Sequence, residues 1–171
     1  MKHFYKNITG WFDFDAIYDM AIEQAKDGDI LVETGTANGK SICYLGVEAI
    51  NSGKDLKIFT IDISENEHQV NYVKEQIKGL PVTFINADSI KTAEQFDDGS
   101  VFMIFLDADH TYEFLSAELR AWHKKLKPDG ILAGHDWDNG YPGIQQALKE
   151  YIKEFGGKLI INKSSWIYER G

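Results

Sequence analysis

The sequence predicts an α/β fold with a doubly wound, mostly parallel, Rossmann-like sheet, an N-terminal helix and an antiparallel C-terminal hairpin strand. Strand-like and helix-like hydrophobic periods alternate along all 171 residues, without a linker or a repeat. Residues 101–106 are apolar throughout, as is typical of a parallel strand buried on both faces. The last two strand-like segments lie too close together for a helical crossover and must pair antiparallel. We expect a single domain over 1–171 with an arm at 1–12.

The individual elements follow from the same periods. Strands are expected at 29–33, 56–61, 81–85, 101–106, 131–133, 158–161 and 166–168, with the reversed strand at one edge of the sheet. Helices are expected at about 14–26, at 39–50, through Val70, Val73 and Ile77, through Leu115, Leu119, Trp122 and Leu126, and through Ile144, Leu148, Ile152 and Phe155. Residues 127–130 are expected to form a turn before the fifth strand.

Composition and charge limit the classes of partner. The formal charge of −9 and the absence of a Lys/Arg cluster argue against binding to nucleic acid, which depends on neutralised phosphates. No apolar run is long enough to span a membrane, and the first residues lack the apolar core of a signal peptide. We therefore expect a cytoplasmic protein that acts on a small molecule. The one cysteine, Cys43, is expected to be a buried apolar side chain.

Acidic residues stand at or just past the ends of five predicted strands. They are Glu33, Asp62, Asp88, Asp107 and Asp136. In open α/β sheets, ligands bind outside the carboxyl ends of the strands, near the point where the strand order reverses. The five acids therefore predict a ligand site on that rim.

A glycine-containing turn, Gly35-Thr36-Ala37-Asn38-Gly39, follows the first strand and suits a tight bend that brings backbone amides close to a ligand. A dinucleotide fingerprint is absent, since Ala37 stands where the second glycine belongs. The segment through Lys40 and Ser41 is one residue from a phosphate-binding P-loop. Thr34 replaces its first glycine, however, and Glu33 would repel a triphosphate, whereas a cationic sulfonium would tolerate that acid.

Three segments carry a resemblance to a known family: Val32 to Ser41, Phe105 to Tyr112, and Gly130 to Trp137. Together they resemble class I S-adenosylmethionine-dependent methyltransferases, in particular the small O-methyltransferases related to macrolide-sugar O-methyltransferases and cephalosporin-hydroxylase-type proteins. The resemblance covers most of the chain. It implies methylation of a hydroxyl group on a small acceptor.

The resemblance also implies roles for individual residues. The cofactor S-adenosylmethionine would contact Glu33, Gly35, Thr36, Gly39, Ser41, Asp62, Ile63, Asp88, Ser89 and Asp107. Among these, Asp62 would hold the ribose, and Asp88 with Ser89 would lie beside the adenine. A divalent metal such as magnesium would be held by Asp107, His135 and Asp136, although His135 stands where several relatives have an acid.

His110 follows the fourth strand closely and is predicted to be the general base that takes the proton of the acceptor hydroxyl. Trp11 and Trp137 flank the rim, and we expect them to be buried aromatics, as we do Trp122 and Trp166. Two rival functions stay open at this point: a P-loop-like nucleotide hydrolase or kinase, and a non-catalytic cofactor-binding partner protein. The acceptor and the oligomeric state, a homo-oligomer included, also stay open.

Overall fold

A computed structural model describes residues 1–137 and 140–171. The described residues contain seven strands: β1 (Ile30–Thr34), β2 (Lys57–Asp62), β3 (Val82–Asn86), β4 (Val101–Leu106), β5 (Leu126–Gly134), β6 (Lys158–Asn162) and β7 (Ser165–Glu169). All seven join one sheet in the order β3-β2-β1-β4-β5-β7-β6. The predicted fold class is confirmed, and each predicted strand is present within a few residues of its expected place.

The helices cover both faces of this sheet. They are α1 (Asp15–Gln24), α2 (Lys40–Ser52), α3 (Glu67–Gln76), the single turn α4 (Ser89–Thr92), α5 (Tyr112–His123) and α6 (Pro142–Phe155). Helices α1, α2 and α3 pack in one apolar cluster, and α5 and α6 pack in the other. None of the helices described is long and apolar enough to cross a membrane.

The alternation of side chains along the central strands supplies both clusters. Met103 and Phe105 of β4 face the cluster with α1 and α2, whereas Ile104 and Leu106 face the cluster with α5 and α6. Because β4 has a helical layer on each side, all six of its residues are buried, which explains its continuous apolar sequence. Cys43, Trp122 and Trp166 are buried, as predicted.

The position of the reversed strand differs from the prediction. Strand β7 pairs antiparallel with both β5 and β6, so the reversed strand lies inside the sheet and β6 forms the edge. The side chains explain this order: Trp166 and Tyr168 of β7 are buried, whereas Ile160 and Ile161 of β6 are exposed. Strand β7 carries the larger aromatic surface, and its position between β5 and β6 buries that surface better than the edge of the sheet would.

The fifth strand also begins earlier than expected. Leu126, predicted to lie in the preceding helix, pairs with Val101 at the start of β5, and α5 ends at His123. The register shifts between Val101 and Met103, so residues 127–130 form an irregularity within the strand rather than a turn before it. Local hydrophobic spacing could not distinguish these cases, because Leu126 fits both periods.

One glycine allows the turn after β1 to touch the end of β4. Gly35 has φ +86°, and a Cβ built on it would lie 1.9 Å from the carbonyl oxygen of Asp107. Gly28 has nearly the same φ, +85°, but a Cβ there would meet nothing within 4 Å. The two glycines therefore share one backbone conformation in different surroundings.

Replacing each glycine by alanine separates backbone strain from steric overlap. Gly28→Ala should lower the free energy of unfolding by about 1 kcal/mol, the cost of a left-handed conformation for a residue with a Cβ. Gly35→Ala should lower it by about 3 kcal/mol or more, since the overlap with Asp107 adds to the same strain. Urea denaturation measures both values. Equal losses in the two variants would contradict the close approach.

A second structural feature is the fully buried carboxyl group of Glu118 on α5. Its Oε1 accepts a hydrogen bond from the Ser89 hydroxyl, and no described group donates to its Oε2. Burial raises the pKa of Glu118 to about 7, because the charged form is poorly solvated there. The folded chain therefore holds this proton more tightly than the unfolded chain does.

This shift makes stability depend on pH. Because the folded pKa lies above the unfolded value, the contribution of Glu118 is fully present below about pH 4.5 and is lost as the pH rises through about 7, by up to about 3 kcal/mol. Glu118→Gln should remove that part of the decline in unfolding free energy between pH 4.5 and 8. Glu113→Gln, exposed on the same helix, is the matched control. An unchanged slope in Glu118→Gln would contradict an elevated pKa.

Candidate active site

The site lies where the strand order reverses. The chain proceeds from β1 outward to β2 and β3, then returns to lay β4 and β5 on the other side of β1. The carboxyl ends of adjacent parallel strands lie at one rim of the sheet. The loops that follow β1 and β4 leave this rim in different directions, so that a crevice opens between them. A cleft of about 580 Å³ opens there, and a second of about 290 Å³ adjoins it, since Asp62 and Ala108 line both.

The glycine turn forms the floor of the larger cleft. Gly35 and Gly39 have φ of +86° and +83°, and Ala37 has the positive value +46°. The amide of Ala37 donates a hydrogen bond of 2.7 Å to Oδ2 of Asp62. Among the described residues, no hydrogen bond to the second oxygen of Asp62 is found, so that oxygen is available at the junction of the two clefts. Thr36 lies beneath, with its hydroxyl 2.6 Å from that of Thr60.

Glu33 lies behind this floor and does not line either cleft. It is buried, and its carboxylate accepts hydrogen bonds from the hydroxyls of Tyr18 and Thr60. Burial raises the pKa of Glu33 to about 7, and the hydrogen bonds from Tyr18 and Ser41 oppose that rise. In the geometry shown, Glu33 and the buried Ser41 support the turn from below. The predicted contact of both residues with a cofactor stays a prediction.

The smaller cleft brings together Asp88 and Ser89, which are predicted to lie beside the adenine, and two other predicted cofactor contacts. Asp62, Ile63, Asp88 and Ser89 line it, together with Phe114 of α5. Ile63 is 72% exposed, which leaves an apolar face open to a ligand at the mouth. Asp88 caps α4 by accepting a hydrogen bond from the amide of Lys91. Apolar faces beside a few fixed polar groups are typical of a small-molecule site.

The larger cleft contains a cluster formed by Asp107 after β4, His110 three residues later, and Asp136 after β5. The Nε2 atom of His110 lies 2.8 Å from Oδ2 of Asp136 and 3.8 Å from Oδ1 of Asp107. This nitrogen is buried, yet no hydrogen bond of acceptable geometry reaches it from the described residues. One donor atom from each residue lies within 4.8 Å of the others, so the three could hold a metal ion.

The same proximity changes the acidity of all three groups. The carboxylates of Asp107 and Asp136 raise the pKa of His110 to about 10. Burial raises the pKa of Asp107, whereas the neighbouring histidines hold the pKa of Asp136 well below its usual range, against the effect of burial. The two carboxylates therefore favour the protonated form of His110.

His135 lies beside this cluster with both ring nitrogens near carboxylates. Its Nδ1 is 3.2 Å from Oδ1 of Asp136, and its Nε2 is 3.0 Å from Oδ1 of Asp13. Asp136 itself has φ +60°, a backbone conformation that residues other than glycine rarely adopt and that often marks a functional residue. His135 therefore connects Asp136 to Asp13, the residue that follows the N-terminal arm, a role that sequence patterns did not reveal.

The arm also brings Trp11 to the cleft. Trp11 is 76% exposed and lines the cleft, so the expectation of a buried aromatic is wrong. The carbonyls of the two residues before it, Thr9 and Gly10, accept hydrogen bonds from Asn38 and Lys40. Lys40, which a P-loop would direct to phosphates, is thus bonded to the arm. Trp137 is half-buried and packs against the cluster of α5 and α6.

Comparison with known proteins places these observations in a family. A model of the methyltransferase domain matches residues 32–137, more than half of the chain. A search of curated proteins finds no match.

Solved structures share the fold at low sequence identity. CalS11, a TDP-rhamnose 3'-O-methyltransferase of calicheamicin biosynthesis, has a TM-score of 0.69 at 16% identity over 92% of this chain and 76% of its own. A putative caffeoyl-CoA O-methyltransferase from Staphylococcus aureus has a TM-score of 0.71 at 19% identity over 97% and 87%. The O-methyltransferase NovP has a TM-score of 0.69 at 18% identity over 91% and 78%.

The matched segment contains the glycine turn, Asp62, the pair Asp88 and Ser89, and the cluster of Asp107, His110 and Asp136. The chain therefore belongs to the methyltransferase domain family and is an S-adenosylmethionine-dependent methyltransferase.

Proposed function

We propose that the chain methylates a hydroxyl oxygen of a small acceptor, with S-adenosylmethionine bound across the two clefts. The observation that carries this proposal is the position of the Asp107–His110–Asp136 cluster in the larger cleft, next to the glycine turn. S-adenosylmethionine supplies an activated methyl group on a sulfonium. A carbon–oxygen bond forms as the carbon–sulfur bond breaks, and the hydroxyl loses its proton.

The residues of the two clefts fit the cofactor. The free oxygen of Asp62 at their junction suits the ribose hydroxyls, and Ile63, Asp88, Ser89 and Phe114 suit an adenine ring. Gly35 and Ala37 line the larger cleft, where the methionine part would lie. The carboxylates there complement a sulfonium cation. Positioning of this kind accounts for much of the rate of a transfer between two bound molecules.

His110 is the proposed general base. It lies in the larger cleft, and its imidazole can accept the hydroxyl proton only in the neutral form. The carboxylates of Asp107 and Asp136 raise its pKa to about 10 and so favour the protonated form. The base therefore requires that the charge of Asp107 and Asp136 be neutralised first.

Asp107 and Asp136 are the proposed ligands of a divalent metal. Oδ1 of Asp107 and Oδ2 of Asp136 lie 3.8 and 2.8 Å from the unpartnered Nε2 of His110, and anionic oxygens such as these two are the ligands that such an ion prefers. When bound, a divalent cation would neutralise these carboxylates and increase the acidity of a hydroxyl group beside them. His135, held between Asp13 and Asp136, would orient Asp136. The sequence predicts that His135 is a metal ligand, and our proposal gives it this orienting role instead.

Calorimetry with S-adenosylmethionine and S-adenosylhomocysteine tests the cofactor site. Asp62→Ala should weaken binding by about 10- to 100-fold, because it removes charge-assisted hydrogen bonds to the ribose. Asp97→Ala, an exposed acid outside both clefts, should bind like the parent. No detectable heat with either compound would contradict the proposal.

Manganese binding, followed by the spin resonance of the free ion, tests the metal site without an acceptor. Asp107→Asn and Asp136→Asn should each weaken binding at least tenfold, because each removes an anionic oxygen ligand. Asp109→Asn, two residues from Asp107 and outside the cluster, is the matched control.

His110→Ala separates the two roles open to this residue. As a base, His110 should be dispensable for manganese affinity, and its loss should reduce kcat by about 10²- to 10⁴-fold. A loss of manganese affinity as large as that of Asp107→Asn would instead make His110 a ligand. Failure of the parent to bind manganese would contradict the metal site.

A further inference from the structure

One fully buried carboxyl group has no part in the proposed chemistry. Glu118 of α5 is 0% exposed and lies one helical turn after Phe114, so the two side chains share a face of the helix. Phe114 lines the smaller cleft, whereas Glu118 is not among the described residues that do. Glu118 therefore lies behind the wall of this cleft, and any effect on a bound ligand must pass through a neighbouring residue.

That neighbour is Ser89, the first residue of the single turn α4. Its hydroxyl donates a hydrogen bond to Oε1 of Glu118. Ser89 also lines the smaller cleft, although only 5% of it is exposed. The hydrogen bond therefore connects α4, which forms part of the cleft wall, to the longer helix α5 behind it.

The same bond fixes the direction of the serine hydroxyl. Its hydrogen atom is directed at Glu118 and away from the cleft. Without this acceptor, the hydroxyl would either stay buried and unsatisfied or rotate about the Cα–Cβ bond toward the cleft, where water can satisfy it. A hydroxyl turned into the cleft would narrow it beside the apolar surfaces of Ile63 and Phe114. Glu118 thus keeps a polar group out of this wall.

The burial of Glu118 is unfavourable in itself. No described group donates a hydrogen bond to its Oε2, and the hydroxyl of Thr34, which opposes the rise in the pKa of Glu118, is also buried without a partner among the described residues. An apolar side chain of similar size would avoid the cost of burying this carboxyl group. What Glu118 supplies, and an apolar residue could not, is the acceptor for Ser89.

We propose that Glu118 is a positioning residue of the cofactor site, which holds the Ser89 hydroxyl away from the smaller cleft and so keeps that cleft in the shape that binds adenine. This proposal rests on the proposed function, since it takes the smaller cleft as the place of the adenine ring. Glu118 itself touches no ligand. Its effect is on the affinity for the cofactor, and it acts through Ser89.

Calorimetric binding of S-adenosylhomocysteine to the full chain tests the proposal. Glu118→Met and Glu118→Leu remove the acceptor with two different shapes, and each should weaken binding by about five- to tenfold. Glu118→Gln keeps an acceptor oxygen and should stay within about twofold of the parent. Leu119→Ala, at the next and equally buried position of α5, should lower the urea midpoint without changing the affinity.

A double-mutant cycle shows whether Glu118 acts through Ser89. In a Ser89→Ala background there is no hydroxyl to turn, whatever the affinity of that variant is by itself. Adding Glu118→Met or Glu118→Leu to it should then change the affinity by less than about twofold, in contrast to the loss in the parent.

The proposal is overturned if both apolar variants bind like the parent, or if Glu118→Gln binds as weakly as they do. It is also overturned if the loss is as large in the Ser89→Ala background, or if Leu119→Ala loses as much affinity, since the effect would then be one of packing. If the parent does not bind S-adenosylhomocysteine, the proposed function itself fails. If the parent binds and Asp62→Ala weakens binding while the Glu118 variants do not, only the positioning role is wrong.

Discussion

The parallel pairing of β1 with both β2 and β4 is the constraint on which the rest of the structure depends. It places the carboxyl ends of three strands at one rim, and the backbone continues the pairing past the last residues: the amide of Gly35 bonds to Ile61, and that of Asp107 bonds to Thr34. The glycine turn is consequently pressed against the carbonyl of Asp107. The glycine turn and the acid cluster are therefore joined by one backbone contact, that of Gly35 with Asp107.

Several groups of the site have an energetically unfavourable environment or backbone conformation. Glu33 and Glu118 are carboxyl groups buried under the two clefts, and Asp136 has a left-handed backbone. In the larger cleft, His110 faces two carboxylates, so the cluster stabilises added positive charge, whether a proton or a divalent ion. Such an arrangement costs folding energy and is maintained by the packed layers around it. The electrostatics of the larger cleft thus favour cations throughout, in agreement with a sulfonium cofactor.

The arm before α1 joins the site to the rest of the fold. The carbonyls of Thr9 and Gly10 in the arm accept hydrogen bonds from Asn38 of the glycine turn and from Lys40. Asp13, which follows the arm, contacts His135 after β5. Phe14, at the start of α1, stacks on Phe105 of β4 with ring centroids 4.4 Å apart, which connects the segment between the arm and α1 to the central strand as well. Residues near the start of the chain therefore complete a site whose chemical groups come from its middle.

The sequence by itself determined the strands, the helices and the rim on which the acids meet. Hydrophobic periods are local, so the apolar run at 101–106 was enough to identify a strand covered on both faces. The acids at the strand ends predicted a site on this rim, and Asp62, Asp88, Asp107 and Asp136 line the clefts there, whereas Glu33 does not. The same local signals placed Leu126 in the wrong element and the reversed strand at the wrong position, because only the competition for buried surface decides between equivalent periods. The tertiary structure alone decided that Trp11 is exposed and lines the larger cleft. It also decided that Asp13 contacts His135, since a contact between residues 122 positions apart leaves no trace in a sequence window. It also decided that His110 lies between two carboxylates, since their separation depends on how β4 and β5 pair.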